Sequence, residues 1–285
     1  MDIRLIAFDL DGTLLDDDKN ISGENLRAME RAAEKGIMLV PATGRIYRGL
    51  PELLRSLPFL RRYILVNGAY VYDAGEDRCL VREDIDCARA LEFLAYADTL
   101  GVLYDCYQDN WGYMTERMLE EALRVVPSAA ARDLIRTLRS PVPELKRYLR
   151  QQGTGVQKLQ LYFTDPEQRL RELEKLPDLF PDLSISTSVF CNIEINARGA
   201  TKGRALLSLR GAGAGSLADH GPGRRNERPG NAAEGRPRRR HGKRRTRRQG
   251  RGRRSDREQQ RERLCRRRGE IRALKNRTGT IPPPR

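Results

Sequence analysis

The front of the chain alternates short apolar runs with abrupt polar stops. Residues 3–8 form an apolar run of strand length that halts at Asp9-Leu10-Asp11-Gly12-Thr13. Ser22 is suited to cap a helix in which Leu26, Met29 and Ala33 keep helical spacing, and Gly36 ends it. Residues 37–40 read as a second strand, ending in Pro41-Ala42-Thr43-Gly44-Arg45, and residues 63–66 as a third, ending in Asn67-Gly68. Strands alternating with helices predict an open, mostly parallel α/β sheet. In such sheets ligands sit beyond the carboxyl ends of the strands, where all three polar motifs fall.

Residues 84–190 show a different pattern. Residues 87–100 have helical spacing, 156–163 alternate like a strand, and 168–176 are helical again. Residues 183–189 and 191–195 are strand-like. This predicts an α+β block inserted into the α/β core, so that the core comprises 1–83 and 191–209, with a last helix at 203–209. Trp111 and Tyr113 in the insertion are read as packing residues.

Charge sets the C-terminal region apart from the rest. The chain's net charge of +15 suggests a nucleic-acid binder, but residues 210–285 hold 26 Lys and Arg against 7 Asp and Glu, a net of +19. The other 28 basic and 32 acidic residues leave 1–209 at −4, an ordinary globular balance. Residues 210–285 contain no Phe, Tyr, Trp or Val. Such a segment cannot bury enough apolar surface to offset chain entropy, and a disordered basic tail is expected. It has no aromatic residue to stack on bases, so specific nucleic-acid recognition is not expected; nonspecific binding through Arg is the alternative.

No apolar run reaches the length of a membrane span, and the start of the chain lacks the build of a signal peptide. The five cysteines (Cys79, Cys87, Cys106, Cys191 and Cys265) are odd in number and form no CxxC pair. Neither a zinc site nor a disulfide framework is indicated, and a reducing cytoplasm is the expected setting.

The densest chemistry lies at Asp9 and Asp11. If strand geometry persists, residues two apart leave the same face. One carboxylate can then attack phosphorus while the other handles the proton of the leaving oxygen. Two carboxylates facing a phosphate need a hard cation, and Mg²⁺ held by Asp9 and Asp11 is expected. Asp16, Asp17 and Asp18 read as a solvated acidic loop.

Phe8-Asp9-Leu10-Asp11-Gly12-Thr13-Leu14-Leu15 resembles the first motif of the haloacid dehalogenase superfamily. Thr43-Gly44-Arg45 resembles its second motif and Lys202 its third. Asn67-Gly68-Ala69, the insertion, and the stretch from Ile193-Glu194-Ile195 through Lys202-Gly203 resemble the Cof-type branch. The resemblance covers residues 1 to about 209. It implies a Rossmann-like core with a C2-type cap, and a Mg²⁺-dependent phosphohydrolase acting on small phosphate esters. Asp9 would be the nucleophile and Asp11 the acid and base. Thr43, Gly44 and Lys202 would bind the phosphoryl group, and Arg45 and Asn67 would contact substrate or brace a loop. A phosphate-binding protein that kept the fold and lost catalysis is the competing reading.

The family's fourth motif, Gly-Asp-x-x-Asn-Asp, supplies further metal-binding acids and is missing from 203–285. A reading-frame shift accounts for the gap. Residues 222–233, written in permitted codons and read one nucleotide later, can give LGDGTNDLGML, which contains the motif. The expectation is a shift near the codons for Leu209 to Ala212. Residues 210–285 would then be out-of-frame translation, and turnover by this chain would be impaired.

Overall fold

The computed structural model describes residues 3–16, 18–126 and 129–212. The basic tail, its expected disorder and the proposed frame shift lie outside the described residues, apart from the end of the last helix.

The chain opens with β1 (Leu5–Phe8), α1 (Gly23–Glu34), β2 (Met38–Pro41), α2 (Glu52–Ser56) and β3 (Arg62–Leu65). Ser22 caps α1 by accepting from the Asn25 amide at 3.1 Å, as its position ahead of the apolar spacing implied. Strand β1 pairs in parallel with β2, from Leu5 opposite Met38 to Phe8 opposite Pro41. A parallel bridge between Ala42 and Ile64 carries the layer on to β3. Strands β4 (Tyr70–Asp73) and β5 (Arg78–Arg82) extend β3 as an antiparallel meander. Among the described residues, β1 therefore pairs along one edge only.

The insertion supplies α3 (Cys87–Leu100), β6 (Leu103–Gln108), β7 (Trp111–Thr115), α4 (Glu116–Val125), α5 (Ala129–Leu138), β8 (Arg139–Val142), α6 (Leu145–Gln152), β9 (Lys158–Tyr162), α7 (Pro166–Leu179), β10 (Leu183–Ser186) and β11 (Asn192–Ala197). Six strands form one mixed sheet in the order β10-β11-β9-β6-β7-β8. One face packs on an apolar core that includes Phe93, Leu94, Leu159, Leu161, Ile193 and Ile195. The other carries Asp105, Tyr107, Lys158, Glu194 and Asn196, and these too are buried.

Strand β11 corrects one boundary. The sequence placed 191–209 in the core, yet β11 pairs with β9 and β10 in the inserted sheet. Alternating apolar residues specify a half-buried strand without saying which sheet it joins. The chain returns to the core layer after Ala197, through Thr201 to α8 (Lys202–Ala212). Ala205 and Leu209 of α8 pack with Val40, Ile64 and Val71.

Candidate active site

Three loops from the strand ends converge with the start of α8. Strand β1 ends at Phe8, and Gly12 makes the next turn with φ of 78°. The shared-face argument for Asp9 and Asp11 therefore lapses, because both lie beyond the strand. Their carboxylates reach different cations. Lys202 donates to Asp9 Oδ1 at 2.7 Å. Asp11 accepts from Arg45 Nε at 2.8 Å, from Arg45 Nη2 at 2.6 Å and from Lys19 Nζ at 2.8 Å. The hydrogen bond from Arg45 is the main cause that holds the Asp11 carboxyl down at about 2; burial opposes it and Lys19 adds to it.

The turn after β2 is tied down on every side. Thr43 is buried, and its amide donates to Ile64 O at 2.9 Å. Its hydroxyl accepts from the Arg45 amide at 3.2 Å. Arg45 also donates to Gly49 O at 2.9 Å, which aims the guanidinium back at Asp11. A Cβ on Gly44 would come within 2.6 Å of Asn67 Oδ1, so a larger residue here would displace the Asn67 side chain.

Asn67 sits in the left-handed region with φ of 63°, a conformation Asn tolerates. Its amide group donates to Glu194 Oε2 at 2.8 Å and to Asn196 Oδ1 at 3.0 Å. The side chain is thus a brace between the core and β11, and of its two sequence-derived roles the loop role is the one the hydrogen bonds display. At Gly68, a Cβ would lie 2.4 Å from the Thr201 carbonyl carbon and oxygen. The missing side chain lets the backbone before α8 approach, and that approach carries Lys202 to Asp9.

Sequence reasoning missed three participants. Lys19 lies beside the acidic loop and reaches back to Asp11. Lys158 and Glu194 form a buried ion pair at 3.3 Å beside the Gly44 turn. Burial pushes the Glu194 carboxyl up. Lys158 and the hydrogen bonds from Asn67 and Ser188 outweigh that and hold it below its ordinary value. The signal available was a charged residue at alternate positions of two strands, a pattern that ordinarily marks a solvent face.

The site brings Lys19, Arg45 and Lys202 against Asp9 and Asp11, a positive surplus suited to a phosphate dianion. Among the described residues no group of three or more Asp, Glu, His or Cys side chains is placed to hold a metal. Asp9 and Asp11 remain as donors. Two carboxylates fit Mg²⁺, which commonly takes one or two of them and completes its shell with water and substrate phosphate.

The chain that carries this strand-end aspartate, buried threonine turn and α8 lysine has clear relatives. The sequence profile described as haloacid dehalogenase-like hydrolase matches residues 6–212, and the chain belongs to that family. The phosphatase YwpJ of Bacillus subtilis is 29% identical over 231 residues, covering 73% of this chain and 78% of its own. The 5-amino-6-(5-phospho-D-ribitylamino)uracil phosphatase YcsE of the same organism is 43% identical over 74 residues, 26% of this chain and 30% of its own. A solved haloacid dehalogenase-like hydrolase from B. subtilis shares the fold with a TM-score of 0.60 at 24% identity, covering 74% of this chain and 79% of that one. Among the described residues, no helix is long and apolar enough to cross a membrane.

Proposed function

We propose that the chain is a Cof-type phosphatase that hydrolyses small phosphorylated metabolites through an aspartyl-phosphate on Asp9. The observation that carries this reading is the 2.7 Å contact of Lys202 with Asp9 at the meeting point of the Thr43 and Asn67 loops. An Asp9 oxygen attacks phosphorus, the bond to the leaving oxygen breaks, and Asp11 supplies the proton that makes the leaving alcohol neutral. Water then attacks phosphorus, its proton passes to Asp11, and the bond to Asp9 breaks to release phosphate. Lys202 and the Thr43 hydroxyl hold the phosphoryl oxygens as charge builds, which is electrostatic stabilisation of the transition state. Mg²⁺ bound by Asp9, Asp11 and the substrate would neutralise the charge these anions bring together.

With its carboxyl near 2, Asp11 cannot carry a proton at neutral pH while Arg45 and Lys19 hold it. Its acid role requires those two cations to turn toward the incoming phosphate, which competes for them with a greater negative charge. The inserted sheet closes over the loops, excludes water and selects the leaving group. A cytoplasmic setting fits this role.

The family profile ends at residue 212, where the basic composition has just begun, and this supports out-of-frame translation of 210–285. Without the fourth motif's acids, the chain as written should turn over substrate roughly a thousandfold more slowly than its frame-restored counterpart. Phosphate release from a panel of sugar phosphates, nucleotides and cofactor phosphates tests both points. The frame-restored chain should be active and its Asp9→Asn variant inactive; equal activity in that variant would remove Asp9 as nucleophile.

A phosphate-binding protein without turnover is the second reading for this chain. The missing Gly-Asp-x-x-Asn-Asp motif favours it. Beryllium fluoride separates the two, since trapping requires Asp9 and a working metal site.

A further inference from the structure

The geometry points to Lys158 as a positioning residue that sets the Thr43 hydroxyl from the inserted sheet, through the Gly44–Arg45 peptide. The inference rests on reading residues 43–45 as the phosphoryl-binding turn. Lys158 opens β9 and is only 2% exposed. Its ammonium lies 3.3 Å from Glu194 Oε1, 3.3 Å from Gly44 O and 4.4 Å from the centre of the Tyr107 ring. Burying an ammonium costs several kcal/mol, which a partner carboxylate offsets. Glu194 supplies that partner within the same sheet. The bond to Gly44, on a different layer, is not required for charge balance and calls for a separate explanation.

The turn supplies one. Three successive carbonyls are held: Thr43 O by the Asn67 amide at 3.0 Å, Gly44 O by Lys158, and Arg45 O by the Val66 amide at 3.0 Å. Two of these donors are core backbone. Lys158 is a side chain from the insertion. A peptide unit is planar, with its C=O and N–H pointing in opposite directions. Fixing Gly44 O therefore fixes the direction of the Arg45 N–H, and that N–H donates to Thr43 Oγ1 at 3.2 Å. Lys158 thus sets the hydroxyl that should receive a phosphoryl oxygen. Glu194 orients Lys158 and also holds Asn67 against Gly44. Closure of the inserted sheet and readiness of the turn become one event, because separating the layers breaks the bond to Gly44 O.

Hydrogen exchange of the full chain, read residue by residue, tests this without requiring turnover. Lys158→Met alone would strand a buried carboxylate, so the informative variant is Lys158→Met with Glu194→Gln, compared with Glu194→Gln alone and with Lys158→Arg. The double variant should exchange the Arg45 amide about tenfold faster, the expected loss for one charge-assisted hydrogen bond. The amides of Leu159, Leu161 and Ile193 should stay as slow as in the parent. Glu194→Gln alone removes the carboxylate that orients Lys158 and should raise Arg45 exchange by less than the double variant, because the lysine can still reach Gly44 O, and Lys158→Arg should retain most of its protection. An unchanged Arg45 amide in the double variant, or a rise shared by β9 and β11, would assign Lys158 to sheet stability and overturn the proposal. Inorganic phosphate provides the separate check: if it slows Arg45 exchange in no variant, the phosphoryl-turn reading fails, whereas the Lys158 coupling is judged without phosphate. In the frame-restored enzyme the double variant should lower kcat about tenfold and leave KM unchanged.

Discussion

The inserted sheet and the core layer bury their strands to different degrees. Every residue of β6 and β9 is buried, and β9 has a neighbour on each side. Strand β1, which leads into the nucleophile candidate, has no fully buried residue, and its Ile6 is 38% exposed. Strands of parallel sheets are normally covered on both faces. The layer that would select the substrate is thus better enclosed than the strand that would perform the chemistry. The loops do not share this weakness: hydrogen bonds tie Thr43 to β3, Asn67 to β11 and Lys202 to Asp9. A site can be locally well fixed on a layer that is incompletely covered among the described residues.

Truncating a side chain in each region puts this contrast to the test. Phe93 is fully buried in the inserted layer, with its ring 4.9 Å from that of Phe180. Phe93→Ala should cost about 3–5 kcal/mol in denaturant unfolding. Ile6→Ala should cost less than about 1 kcal/mol in this chain, since its side chain already meets solvent. In the frame-restored chain the same Ile6 substitution should cost more, about 2–4 kcal/mol, if the restored segment covers β1. Equal costs for Phe93 and Ile6 in the chain as written would show that β1 is enclosed in solution.

The contrast also separates what the sequence makes legible from what it hides. Asp9, Thr43 and Asn67 each lie just past an apolar strand, and strand ends are where α/β sheets place ligands, whereas Lys202 was singled out through the family resemblance. The helix Cys87–Leu100 was legible from its spacing, and the structure adds Asp86 as its cap. Lys158, Glu194 and Asn196 were hidden because alternation in a strand marks two faces and does not say what covers the polar one. The same ambiguity put β11 in the wrong layer. Lys19 was hidden because a lysine beside three aspartates reads as loop chemistry, and only the folded turn brings it to Asp11. The hairpin of β4 and β5 went unread, its short strands being bounded by Asp73, Arg78 and Arg82.

The slightest change in stability concerns Asp11 and bears on the exposed side of the contrast. Its carboxyl sits at about 2 in the folded chain against an ordinary value of 3.8. A depressed folded pKa contributes stability that is fully present above the unfolded value and lost as the pH falls toward the folded one. The window therefore runs from about pH 4 down to about pH 2. The side chain is 43% exposed, so solvent screens the pair and the stability effect should be slight and salt-sensitive. The titration itself is the sharper observable. Carboxyl NMR should place Asp11 near 2 in the parent, and Arg45→Met should move it most of the way to the ordinary value, because Arg45 is the largest cause of the shift. Lys19→Met should move it less. A parent carboxyl that titrates near 3.8 would mean that the two cations do not hold Asp11 in solution.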